Sequence, residues 1–476
     1  MAVTLDLDDI QGLIARGYNG LRHARFTLFG GGDPAAGSAL LSWLLPRITP
    51  AGRFSSGTAA QVAFTAAGLR RLGLPEQVAA GFSLEFLGGM ATPNRSRFLG
   101  DAGESAPDFW AWGAPGGPAI DGLVLLYARS ADLLNGLHAE LMRRLAEVGA
   151  RETTVLDTLE RLDREPFGFR DGISQPVVEG LPKAVRGQRS VAAGEFVLGY
   201  PNGYGQLTDR PLLPRSDDPG RLLPRDPGGS GAADLGRNGT YLVLRQLEQD
   251  VDGFWRYVGE ATQRPDGSGD PAARAALAAK LVGRWQSGAP LVKAPDKDDP
   301  ALATDNDFGY YHTDPLGMAC PLGAHIRRAN PRDSLDPQPG TGASLDVNGL
   351  HRLIRRGRGY GPGAGDGGGQ ATGIHFICLA ANLSRQFEFV QHTWLNSPTF
   401  NGLYDDTDPL TGSRNGGGGT FTAPARPVRR RYRGLPQFVR TRGGAYFFLP
   451  GISALRYLDQ LPADTRSASF SSSTTR

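Results

Sequence analysis

The feature that most constrains this 476-residue chain is a strand-then-helix rhythm that occurs twice, on either side of a stretch poor in both elements. In the first block, residues 23–29 (HARFTLF) and 123–127 (LVLLY) read as strands, and residues 61–74 read as a strand running into a helix. Leu133, Leu134, Leu137, Leu141 and Leu145 recur at helical spacing over residues 130–148, with Ser130 able to cap that helix. The second block predicts strands at 240–244, 374–379 and 445–449, and helices over 248–258, 272–285, 384–394 and 453–458. Residues 202–238 between the blocks are dense in Pro, Gly, Asp and Arg, so loop is expected. The expected organisation is two α+β domains at 1–200 and 239–462, a loop-rich connection at 201–238, and a Ser/Thr-rich, disordered tail at 463–476. Glycine-rich insertions at 361–369 and 416–419 are expected to be flexible surface loops.

Composition closes several routes. Hydrophobic residues make up 40 % of the chain and charged residues 21 %, which allows a sizeable core and excludes global disorder. A net charge of +3 is too small to imply a nucleic-acid partner. Two cysteines, Cys320 and Cys378, exclude a disulfide scaffold and any Cys-rich metal site, though they leave room for one disulfide. No basic, apolar leader and no run of about 18 apolar residues stands out, so a cytoplasmic protein without a membrane partner is expected.

Three segments carry chemistry. Residues 319–332 (ACPLGAHIRRANPR) predict a short helix over 321–329, with Pro321 at its first position and Pro331 ending it. Gly323, Ala324 and Ala329 leave space for a flat macrocycle beside His325, a residue type that commonly ligates haem iron. For an arbitrary histidine the commoner role is a hydrogen-bonded core or surface group. Cys320, as thiolate, is the rival ligand. In residues 167–176 (FGFRDGISQP), Gly168 and Gly172 bracket Asp171. That pattern makes a turn, and it also presents a carboxylate able to move a proton between two peroxide oxygens. In residues 350–361 (LHRLIRRGRGYG) a strand would send Arg355 and Arg356 to opposite faces, so only one enters a pocket. There it could stabilise negative charge on a peroxide oxygen, whereas outside it would be a solvated basic edge. The G-x-G-x-x-G match at 363–368 precedes a strand and opens no helix, so a dinucleotide site is excluded by its context.

Together, G-F-R-D-G at 168–172, C-P-L-G-A-H-I-R-R-A-N-P-R at 320–332 and I-R-R-G at 354–357 resemble the dye-decolorizing peroxidases, particularly the longer members. Weaker matches spread along the chain: I-Q-G at 10–12, V-A-F-T at 62–65, F-L-G-D at 98–101, F-E-F-V-Q at 387–391 and Y-F-F-L-P at 446–450. The resemblance implies two ferredoxin-like domains packed sheet to sheet with peripheral helices, related to the dimeric α+β barrels. It implies one haem b per chain, with His325 as axial iron ligand, Asp171 as distal acid/base and Arg355, not Arg356, as distal arginine. Gly172, Ile173, Gln175 and Arg327 would also contact the cofactor. The implied activity is one-electron oxidation of dyes, phenols and other aromatic donors by hydrogen peroxide through a ferryl species. A carboxylate base, ordinarily titrating near 3.9, implies an acidic optimum. Trp110, Trp112, Trp394, Tyr310 and Tyr311 are candidates to carry electrons to bulky donors at the surface. The carboxylate that supports the proximal histidine in many members has no clear counterpart. Asn382 stands near its place and Glu388 follows six residues on. The alternatives are a haem carrier or a protein that releases iron from haem, and, more remotely, cargo of a protein shell with the C-terminal tail as its tag. An oligomer is compatible with all of them.

Overall fold

The computed structural model describes residues 3–33, 37–55, 57–160, 163–182, 188–362, 371–414 and 417–461. Nine strands form one antiparallel sheet. In the first half β1 (His23–Gly31), β2 (Thr58–Phe64), β3 (Gly122–Ala128) and β4 (Ala150–Asp157) lie in the order β4-β1-β3-β2. The second half repeats that order. β9 (Val439–Leu449) flanks β5 (Thr240–Gln249), β5 flanks β8 (Gly373–Ala380), and two short strands, β6 (Ile354–Arg355) and β7 (Arg358–Tyr360), share the outer edge of β8. Each half is a split βαβ arrangement, so the ferredoxin-like α+β expectation holds.

The halves join edge to edge, not face to face. Phe448 of β9 pairs with Phe64 of β2, and the sheet stays open without closing as a barrel. The join works because both faces are apolar along the central strands. On β3, Val124, Leu126 and Ala128 enter one core, while Leu123, Leu125 and Tyr127 enter the other. On β9, Tyr446 and Phe448 continue the first core, and Phe447 and Leu449 the second. A sheet buried on both faces needs cover on both. Helices α1 (Gly37–Leu44), α3 (Ala131–Glu147) and α7 (Ile452–Asp459) cover the first, and Ile10, Leu13, Ile14, Phe196 and Val197 cover the second.

Local signals set most boundaries. Thr65 caps α2 (Ala66–Arg71) and ends the strand before it, and Ser130 caps α3. The helix expected from residue 248 starts later. Pairing on both sides keeps β5 extended to Gln249, and Asp250 caps α4 (Val251–Glu260). α5 (Pro271–Val282) stops at Gly283, whose φ of 102° suits glycine. The segment expected as an α-helix over 384–394 is two π-helical stretches, Ser384–Glu388 and Val390–Leu395.

Residues 202–238 are largely irregular but not loose. Two two-residue strands pair, and Arg210 lies buried between Asp226 and Asp234. Of the two glycine-rich insertions, 363–369 and Gly416 lie outside the described residues, and Gly419 begins a strand. The C-terminal tail, 463–476, lies wholly outside them. Among the described residues no helix is long and apolar enough to cross a membrane.

Candidate active site

His325 opens a five-residue helix, α6 (His325–Ala329). The expected start at Pro321 fails because Ala324 is extended (ψ 138°), so residues 321–324 form only a turn. Asn330 leaves helical geometry before Pro331, as expected. The Nδ1 of His325 lies 2.9 Å from Asp408 Oδ2. Asp408 is wholly buried, and its other oxygen accepts from the amides of Leu410 (3.0 Å) and Thr411 (2.8 Å). Burial pushes the Asp408 carboxyl up, but His325, the Thr411 amide and Arg328 outweigh it and hold the carboxyl at about 2. Asp408 is therefore the acceptor and Nδ1–H the donor. Nε2 keeps its lone pair for the other side of the ring. Burial opposes charge on His325, and Asp408 more than compensates, raising its proton affinity above the ordinary value.

That other side of the ring belongs to a cavity of about 300 Å³. The cavity lies against β5, β8 and β9 on the face of the first core, and the loop carrying Asp171 closes it. Asp171, Gly172, Ile173, His325 and Arg355 all line it. Arg355 Nη2 stands 3.9 Å from Asp171 Oδ1. The loop bends through Gly168 (φ 95°) and Gly172 (φ 78°), backbone that side chains other than glycine's rarely adopt. The half-buried carboxylate of Glu165 accepts the amides of Phe167 and Phe169 (2.9 and 2.8 Å) and fixes the loop's entry.

Three expectations fall elsewhere. Arg327 is outside the cavity wall. It is buried against Asp314 and the Cys320 carbonyl, where it braces the turn before α6. Gln175 is also outside, but its Oε1 accepts the Arg355 amide (3.0 Å) and so positions that strand. Asn382 caps its own turn, and Glu388 pairs with Arg95, so neither reaches His325. Of the paired arginines, Arg356 turns away and donates to the carbonyls of Leu13 and Ile14. Cys320 is buried off the cavity, away from the space the ligand would face, burial pushes its thiol up, and both cysteines are free.

The structure also supplies site residues with no assigned role in the sequence. Asp408 follows His325 by 83 residues, and its only local mark is an Asp-Pro-Leu-Thr turn in which the carboxylate takes the next amides. Arg284, Arg332 and Arg352 line the cavity and donate to backbone carbonyls, with no carboxylate partner among the described residues. Burial, with Arg332 next, lowers Arg284 to about 10 and Arg352 to about 9. Uncompensated cations of this kind call for an anion. Phe167, Phe169, Leu247, Ile374 and Phe376 add apolar wall. An imidazole nitrogen, apolar walls and unpaired guanidiniums fit haem, which is flat, apolar and carries two carboxylates.

Fold and site together define a class: a duplicated ferredoxin-like protein whose cavity sets an imidazole and guanidiniums against apolar walls. Over 492 aligned residues the chain is 32 % identical to a dye-decolorizing peroxidase of Auricularia auricula-judae, covering 95 % of this chain and 87 % of that protein. A crystal structure of a fungal DyP-type peroxidase from the same organism matches with a TM-score of 0.78 and 30 % identity, over 96 % of this chain and 100 % of that one. A deferrochelatase of Yersinia pestis is 32 % identical over 225 residues, 47 % of this chain and 35 % of that protein. No family model matches. The chain belongs to the dye-decolorizing peroxidase family.

Proposed function

We propose that this protein is a peroxidase that uses hydrogen peroxide to oxidise dyes, phenols and other aromatic donors in one-electron steps, with one haem b held by His325. The observation that carries this is the convergence on one cavity of a carboxylate-supported imidazole and an Asp171–Arg355 pair. Bound haem supplies the iron that receives peroxide and stores the oxidising equivalents. The chain's residues do the rest. His325 offers Nε2, and Asp408 fixes the ring's orientation and basicity. Arg332 and Arg352 stand ready for the macrocycle's carboxylates. Asp171, on the cavity wall and largely open, takes a proton from one peroxide oxygen and returns it to the other. Arg355 stabilises the negative charge that develops as the O–O bond breaks. A carboxylate in that role gives an acidic pH optimum.

The test is peroxide-dependent dye oxidation by haem-loaded Asp171→Asn and Arg355→Leu. Both should lose rate with haem still bound, and wild-type rates in both would remove the mechanism. The partial match to a deferrochelatase favours one alternative, release of iron from haem. Free iron and iron-free porphyrin, measured after incubation with haem and reductant, would identify it.

A further inference from the structure

Glu388, excluded as the partner of His325, has another. Its Oε1 accepts the Tyr446 hydroxyl at 2.7 Å, and Arg95 Nη1 donates to both its oxygens (2.7 and 2.6 Å). Tyr446 and Glu388 are both buried. Phe387 lines the haem cavity on one side and meets the Tyr446 ring edge-on at 6.2 Å on the other. One aromatic ring therefore separates a carboxylate-bonded phenol from the cofactor's space.

We propose that Tyr446 and Glu388 form a redox pair that passes a single oxidising equivalent from the peroxide-oxidised cofactor into the protein. This rests on the peroxidase function above. In the forward step Tyr446 gives one electron to the cofactor, its O–H bond breaks, and the proton forms an O–H bond on Glu388. In the return step an aromatic donor gives up one electron, the tyrosyl oxygen regains it, and the proton comes back from Glu388. Nothing is consumed beyond the peroxide and the donor.

The pair suits this because the proton has somewhere to go. A phenol that loses an electron becomes a strong acid, and an acceptor already hydrogen-bonded to it avoids an isolated buried charge. Burial, then the adjacent carboxylate, keeps Tyr446 protonated at rest. Other aromatic groups near the cavity lack such an acceptor. Tyr310 lines the cavity, but among the described residues no carboxylate accepts from its hydroxyl. Trp110 and Trp255 donate to the carbonyls of Ser105 and Phe167, which cannot take up a proton, and Arg274 lies over Trp255.

The test is freeze-quench electron paramagnetic resonance on haem-loaded protein mixed with hydrogen peroxide and no donor. Ring-deuterated tyrosine in the wild type should narrow the organic radical signal, and its absence from the wild type overturns the proposal directly. Tyr446→Phe should lose most of that signal at equal haem loading. Glu388→Gln keeps the phenol but not the base, and should lose it too. A tyrosine signal of wild-type size in either variant refutes the pair. Absorption recorded on the same samples separates the two claims. Without a peroxide-induced change in the haem band the peroxidase function itself fails. A change without a tyrosine radical defeats only the relay.

Discussion

Replacing Asp408 by Asn probes the support of His325 most directly. The Asp408 carboxyl sits at about 2 in the fold against an ordinary 3.8. At about 1.4 kcal/mol per unit this makes the charged form favoured by about 2 kcal/mol. Burial works against that sum, and His325 is the largest of the groups that overcome it. Because the folded value is depressed, this stabilisation is present above the unfolded carboxyl's pKa near 4 and disappears as pH falls towards 2. Asparagine keeps the shape and can still accept from Nδ1–H, but brings no charge. Haem should then be held about 10–100-fold more weakly. Haem transfer to an excess of haem-free globin measures the first effect. The ferric/ferrous midpoint should also rise, because the imidazole donates less electron density. Equal haem retention and equal midpoints would refute this account of Asp408.

The remaining expectations concern the cavity wall and its supports. Asp171→Asn should lower peroxide-dependent turnover by about 10²–10⁴-fold while the haem spectrum persists, as a general acid/base would, and stopped-flow absorption measures it. His325→Ala should fail to develop the wild-type haem band when hemin is supplied, and added imidazole should restore part of it. Arg352→Leu should act in opposite directions, raising the melting temperature of the haem-free protein by removing a half-buried cation without a carboxylate partner and weakening haem binding by removing a partner for its carboxylates. At Gly283 an added Cβ would come within 2.4 Å of Ile326 on α6 and would sit at φ 102°. Gly283→Ala should therefore cost at least about 1–2 kcal/mol in chemical unfolding, from the backbone alone.

Short-range pattern along the chain sets what depends on near neighbours. The two blocks of strands were legible because a sheet covered on both faces needs near-continuous apolar runs, as in residues 123–127. The cap at Ser130 acts within three residues, and the loop around Asp171 carries its own glycines. His325, Asp171 and Arg355 could each be singled out from a local pattern. Which groups they meet depends on long-range packing. Arg355 and Arg356 are chemically equal neighbours. The pairing of β6 with β8 turns one to the cavity, and the carbonyls of Leu13 and Ile14 claim the other. Arg327 carries the same charge as Arg332, yet Asp314 draws it to the opposite side of the turn. Asp408 and the Tyr446–Glu388 pair span 83 and 58 residues of sequence, and nothing local marks the partner. A hydrogen bond between distant segments is set by how the sheet and its cover pack, and that packing is a property of the whole chain.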